Sequence, residues 1–221
     1  MRDDMIVEIF GEGVTDIGDE SATPVEATEG VVVILVARLC RSPENLRVKK
    51  RRFNFLQGKG LWQKVHFAKQ QAFYNRSHGA VFVMDSEGGK KELKATHKEL
   101  CRGRDFKDHD GFPMAVGVAH PCIEAWLLCD ADGIRRAMKL PQSPMLPDEP
   151  ESLPAPRKNP KYNPKEVLEQ VCGAKSAAQK HEIARRTDWA ALRTRCPLGL
   201  VPFTEEVEQR LAPLFEQNGD E

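Results

Sequence analysis

The sequence predicts an α/β fold, a mainly parallel sheet with helices on its faces. Three observations carry this. Short apolar runs rich in Val, Ile and Phe (MIVEIF at 5–10, GAVFVM at 79–84, PMAVGVA at 113–119) have the length of strands and are bounded by turn residues. Segments of helical spacing or helix-forming composition stand between them. Strands separated by helices pair in parallel, because the crossover carries the chain back to the end from which it started.

The elements follow in order. Met5–Phe10 alternates roughly in and out and reads as the first strand. GEGVTDIGDE is a turn with Gly11, Gly13 and Gly18, and with acids at 12, 16, 19 and 20. Ser21–Gly30 is expected to be a polar loop. Gly30–Arg41 (GVVVILVARLCR) has the β-branched content of a strand. Its length and the spacing of Arg38 and Arg41 favour a buried helix with a polar end, and it is read as one. Arg47–Phe55 is a short basic strand. Trp62–Ser77 is an amphipathic helix, with Val65, Phe67, Ala68, Ala72 and Phe73 on one side. The strands at 79–84 and 113–119 flank a helix over Gly89–Leu100 whose Lys/Glu face is solvated. Ile123–Asp130 starts a helix just after Pro121. Eight prolines fall within Pro141–Pro164, which makes that stretch an extended linker or a wrapping arm. Helices are expected over Pro164–Gln170 and Ala174–Arg186, and a last one over about Thr204–Gln217, opened by a Thr-Glu-Glu cap. The implied organisation is an α/β domain over residues 1–140, a proline-rich arm over 141–164 and a helical portion over 165–221 packing on the domain. There is no internal repeat.

The 221 residues are 40% hydrophobic and 30% charged, enough for a core under an ionic surface. The net charge of zero hides segregation: from Arg38 to Arg76 there are eleven Lys or Arg and one acid, Glu44. Lys49, Lys50, Arg51, Arg52, Lys59 and Lys64, interleaved with Phe53, Phe55 and Trp62, are candidate nucleic-acid contacts through phosphates and stacked bases. The alternatives are a solvated face over core aromatics, or a docking patch for an acidic protein. The six cysteines make no CxxC pair and no zinc spacing. The charged start MRDDM, with no apolar stretch after it, and an apolar run no longer than 31–37 lead to an expectation of no signal peptide, no membrane and a cytoplasmic location. Gly58-Lys59-Gly60 lacks the first Gly and the Ser/Thr of a P-loop, so ATP hydrolysis by this chain is not expected.

The chemistry gathers where strands end. VFVMDSEGG stops at Asp85 and Glu87, and the first strand is followed by Glu12 and Asp16. In parallel sheets function collects at the carboxyl ends of strands. Asp85 and Glu87 can turn to the same side once the strand gives way to a loop. Their repulsion then calls for a cation, and oxygen ligands without His or Cys suit Mg²⁺ or Mn²⁺. Such ions stabilise the attacking and leaving oxygens in phosphodiester cleavage. The plainer readings are a solvated acidic rim, and Thr15 and Asp16 as a helix cap. A base role for His120, beside Cys122 and Glu124, is a further reading; a Cys122/His120 nucleophile pair is disfavoured, because Pro121 fixes the two on a turn with no orienting partner.

FGEGVTD, VFVMDSEGG and VAHPCIEAWLLCD, in that order, resemble the TOPRIM fold of topoisomerases, bacterial primases and OLD-family nucleases. The resemblance spans about residues 5–200 and extends to PKEVLEQ and LRTRCP. It is nearest to small stand-alone TOPRIM-like proteins of prokaryotes, some associated with anti-phage defence and encoded beside an ABC-type ATPase. It implies a TOPRIM-like, Rossmannoid sheet and a Mg²⁺- or Mn²⁺-dependent nuclease, with nucleic acid as substrate and an ABC-type ATPase as partner. Glu12 and Asp85 would be the main metal ligands and Asp16 a further one. Glu87 stands where the family has the second Asp of D-x-D, a departure that puts two-metal activity in doubt. Glu124 matches the glutamate of the E-A-W-L-L helix and would be another ligand or a supporting group; a Glu there also suits the helix dipole. Lys165 matches a lysine that would steady the scissile phosphate. The rival reading is a non-catalytic metal- or nucleic-acid-binding regulatory subunit of the ATPase complex. A topoisomerase would need a Tyr nucleophile, and neither Tyr74 nor Tyr162 has a recognisable setting. The arm leaves room for a homo-oligomer.

Overall fold

The computed structural model describes residues 4–40, 44–56 and 58–216. Among these, β1 (Met5–Gly11), β2 (Ser21–Glu26), β3 (Leu46–Arg52), β4 (Gly79–Asp85) and β5 (Met114–Ala119) form a five-stranded sheet of order β2-β3-β1-β4-β5. The neighbours β3, β1, β4 and β5 are parallel, and β2 is antiparallel to β3. This is the α/β architecture the alternation predicts.

Side chains alternate across the sheet and build two cores. Val7, Ile9, Val81, Val83 and Ala115 face one, and Phe10, Ala80, Phe82, Met114 and Val116 face the other. The second core is roofed by α3 (Leu61–Tyr74) and α4 (Lys90–Arg104), which pack on each other. The first is roofed by α2 (Val31–Leu39) and by helices from the end of the chain: α8 (Ala177–Arg186), α9 (Trp189–Arg195) and α10 (Leu200–Arg210). Because α2 is covered by sheet and helices together, Val31–Ala37 is buried all round, and this is why it carries no polar face.

The remaining elements are α1 (Val14–Ile17), α5 (Ile123–Leu127), α6 (Ala131–Met138), α7 (Pro164–Cys172) and α11 (Ala212–Glu216). Asn163 caps α7, its Oδ1 accepting from the N–H groups of Lys165 and Glu166, with Pro164 in the first turn. The proline-rich stretch is docked. Leu153 and Ala155 are buried, and Glu151 accepts the N–H groups of Leu198 (2.6 Å), Gly199 (2.8 Å) and Leu200 (3.3 Å), closing the open end of α10.

Several boundaries differ from the sequence reading. Ser21–Glu26 is a strand, not a loop; it lies on the sheet edge with a register break between Ser21 and Val25, so most of it is solvated and its pattern is polar. The helix expected over Ile123–Asp130 stops at Leu127, and α6 follows with only Gly133 and Ile134 buried. The last long helix begins at Leu200. Thr204 is inside it, with Oγ1 donating to the Val201 carbonyl, so the Thr-Glu-Glu sequence caps nothing. The expectations for Arg41 and Gln217 lie outside the described residues. No described helix is long and apolar enough to cross a membrane.

Candidate functional site

Connections leave β1 toward β3 on one side, while β4 lies on the other, so a crevice opens beyond the carboxyl ends of β1 and β4. Glu12 follows β1 directly. The chain then folds back through α1, a return that needs Gly11: a Cβ there would stand 2.7 Å from Ile17 Cγ2. Asp85 is the last residue of β4, paired with Ala119 of β5. Glu124 is in the first turn of α5, and Lys165 in that of α7. Glu12, Asp16, Asp85, Ile123, Glu124 and Lys165 line one cleft of about 240 Å³. A larger, mainly apolar cavity of about 530 Å³ between α4 and α10 holds none of these acids.

Each carboxylate in the cleft spends one oxygen on holding the site together. Asp16 Oδ2 accepts from the N–H groups of Glu12 (2.9 Å) and Gly13 (3.2 Å). Glu12 Oε1 accepts from the Asp85 N–H at 3.1 Å, and Asp85 Oδ1 from the Ile123 N–H at 3.0 Å. Glu124 Oε1 accepts from Lys180 Nζ at 2.9 Å, both groups being largely buried. The second oxygen is what remains for a ligand. Glu124 is 2% exposed, and its Oε2 is buried without a hydrogen-bond partner. A buried carboxylate oxygen with no donor is costly unless something positive reaches it. Helix α8 also braces the other wall: His181 Nε2 lies 3.1 Å from the Val14 carbonyl oxygen and 3.2 Å from that of Thr15.

The electrostatics follow from this crowding. Burial, and then repulsion from Asp16, Glu12 and Glu124, pushes the Asp85 carboxyl well above the usual range. Burial raises Asp16 to about 6, against the bonds from the Glu12 and Gly13 N–H groups and with repulsion from Glu12 and Glu124. Glu12 is raised by burial and by nearby Glu87. Burial would lower the Lys165 ammonium, but Glu124 and Asp85 outweigh it and the net shift is upward. The site therefore holds an ammonium firmly and acids that lack enough positive charge. Among the described residues no three of His, Cys, Asp or Glu are drawn close enough to hold an ion as they stand. The donor set nonetheless fits a hard cation in kind, being all oxygen with one oxygen orphaned.

The other predicted residues lie elsewhere. Glu87 does not turn to the same side as Asp85. The ladder continues through Ser86, whose N–H reaches the Ala119 carbonyl, and Glu87 then takes a left-handed turn (φ 49°) and pairs with Arg157 at 2.8 Å, off the cleft lining. The basic run is not a free phosphate-facing stripe. Lys49 is buried and donates to the Asn75 carbonyl at 2.7 Å; Lys50 is buried 3.8 Å from Glu29; Arg51 donates to Glu8 at 2.9 Å; Arg52 lies 3.8 Å from Glu20. All four lie on β3, an inner strand: Lys49 and Arg51 reach partners within the fold, while Lys50 and Arg52 reach acids at the surface. Lys59 is exposed, and Lys64 is half-buried with Nζ 5.9 Å from the Phe53 ring centre. Cys122 is fully buried, its thiol raised by burial, which rules out a ready nucleophile. Tyr74 and Tyr162 are exposed and off the cleft. Sequence reasoning missed Lys180, one lysine among several on an amphipathic helix, with no local signal of its tie to Glu124 56 residues away. Set beside models of protein families, curated proteins and solved structures, the chain matches none.

Proposed function

We propose that this chain is a TOPRIM-like, Mg²⁺- or Mn²⁺-dependent nuclease that cleaves phosphodiester bonds, acting beside an ABC-type ATPase in phage defence. The observation that carries it is the cleft itself: Glu12, Asp16, Asp85 and Glu124 converge with Lys165 beyond the parallel strands, and Glu124 keeps a buried oxygen without a donor. Those four acids would hold the ion. When bound, Mg²⁺ or Mn²⁺ supplies Lewis acidity toward a phosphoryl oxygen and a water acidic enough to attack. Lys165, kept charged by Glu124 and Asp85, would orient the scissile phosphate and offset its growing charge. Glu87, paired with Arg157, would act at most through its field on Glu12.

Calorimetry with Mg²⁺ and Mn²⁺ against Ca²⁺ and Zn²⁺ tests the ion site. Saturable Mn²⁺ binding in the parent that is lost in Asp85→Ala is expected. Cleavage of DNA or RNA, with and without the ATPase, should fall about 100-fold or more in Asp85→Ala and in Glu12→Ala. Undiminished cleavage in both variants would remove the cleft from the chemistry. A second reading, a non-catalytic metal- or nucleic-acid-binding subunit of the ATPase complex, is favoured by one observation: Lys180 already neutralises Glu124. Metal binding with no cleavage of any substrate would select it.

A further inference from the structure

A second concave site lies beside the first. It encloses about 220 Å³ at the start of α4 and is lined by Gly88, Gly89, Lys90, His120 and Lys158, together with part of the docked arm. None of the cleft carboxylates borders it.

Its chemistry is that of an anion receptor, on observations that do not depend on one another. The helix behind it is 15 residues long, so its N-terminus presents N–H groups and the positive end of the dipole. The Gly89 N–H is satisfied by Glu92 at 2.8 Å, while those of Lys90 and Lys91 take no partner among the described residues. His120 is 3% exposed. Its Nδ1 lies 2.8 Å from Ser86 Oγ, and its Nε2 has no partner among the described residues. In the tautomer in which the Ser86 hydroxyl donates to Nδ1, the ring proton is on Nε2, which can then donate to a ligand in the pocket that His120 lines. Burial lowers the pKa of His120, Lys90 and Lys158 lower it further and Glu92 raises it, so these groups share one locality. The acids at the rim are engaged: Glu151 accepts three backbone N–H groups, and Glu92 caps its own helix.

We propose that this pocket is a subsite for a phosphoryl anion. Donors arriving from a helix end, an imidazole and two ammonium groups match a tetrahedral oxyanion better than the two oxygens of a carboxylate. Ser86 holds His120 and adjoins Asp85, so a phosphate here would neighbour one in the cleft. That adjacency rests on the nuclease reading; the anion site does not.

The test is to titrate inorganic phosphate into the full chain with divalent ions chelated. Binding is read by calorimetry and by the NMR signals of the histidine rings. Saturable binding is expected, with a shift of one ring signal that is missing in His120→Gln. Affinity should fall at least about tenfold in Lys90→Gln/Lys158→Gln, two exposed positions whose replacement leaves the core intact. No saturable binding in the parent, or unchanged affinity in the double-lysine variant, would overturn the proposal. A single-stranded oligonucleotide is added in a second arm. Competition with phosphate in the parent identifies a nucleic-acid phosphate as the occupant, and phosphate binding without competition identifies a free phosphate or small ester. Because no divalent ion is present, failure of the metal site leaves this result untouched.

Discussion

Asp16 is the acid in which burial and charge conflict most measurably. It is 9% exposed and titrates at about 6 in the folded chain, against about 3.9 for an unfolded aspartate. The folded state therefore binds more protons than the unfolded state between roughly pH 4 and pH 6. Its contribution to stability is full below that window and is lost as pH rises through it. Asp16→Asn keeps an oxygen for the Glu12 and Gly13 N–H groups but cannot ionise. The melting temperature of the parent, relative to this variant, should fall as the pH of metal-free buffer rises from 4 to 7; a constant difference would mean that Asp16 titrates normally. The Glu124–Lys180 pair makes the complementary prediction. Lys180→Met leaves a carboxylate at 2% exposure without its ammonium, and removing one partner of a buried pair costs about 3–5 kcal/mol. Denaturant unfolding should show that loss, and adding Glu124→Gln should recover most of it.

The strands β1, β4 and β5 and the helices α3 and α4 were legible because their apolar periods are strong or their boundaries carry Gly or Pro. The placing of Glu12 and Asp85 at strand ends was legible for the same reason, since both strands are plain. What escaped was set by partners distant in the chain. The polar edge strand β2 exists through pairing with β3, and Glu8, fully buried, explains Arg51 by accepting from it and from Gln71, Asn75 and Ser77. A run of lysines and arginines looks the same in one sequence whether it faces phosphate or a buried glutamate. The junction of α1 and α2 shows how closely elements control the cleft. Gly30 has φ of 99°, and a Cβ there would lie 2.3 Å from the carbonyl carbon of Ile17. Gly30→Ala must push α2 away from α1, the helix that carries Asp16. A loss of at least about 2 kcal/mol is expected from the strained φ and the overlap, together with weaker Mn²⁺ binding by calorimetry. Unchanged stability would show that α1 can move without cost.

The helices after the proline-rich arm are part of the core that carries the cleft. Ile183, Leu192, Leu200, Phe203, Val207 and Leu211 are almost fully buried in the same cluster as Val7, Ile9 and α2. Phe203 stacks on Trp126 with ring centres 5.5 Å apart and lies where a side chain on Gly117 would otherwise be. At about 1.5–3 kcal/mol for each buried large side chain, these six contribute as much as the whole net stability of an ordinary domain, about 5–15 kcal/mol. The same helices supply Lys180 to Glu124 and His181 to the α1 carbonyls, so the fold and the cleft share one support. A chain cut after Leu140 keeps every strand but exposes the apolar face of the sheet and most of α2. It is expected to show no cooperative thermal transition and no fixed aromatic signal in near-UV circular dichroism. A sigmoidal melt from that fragment would mean that the sheet folds on α3 and α4 alone, and that the C-terminal helices serve the cleft without holding up the fold.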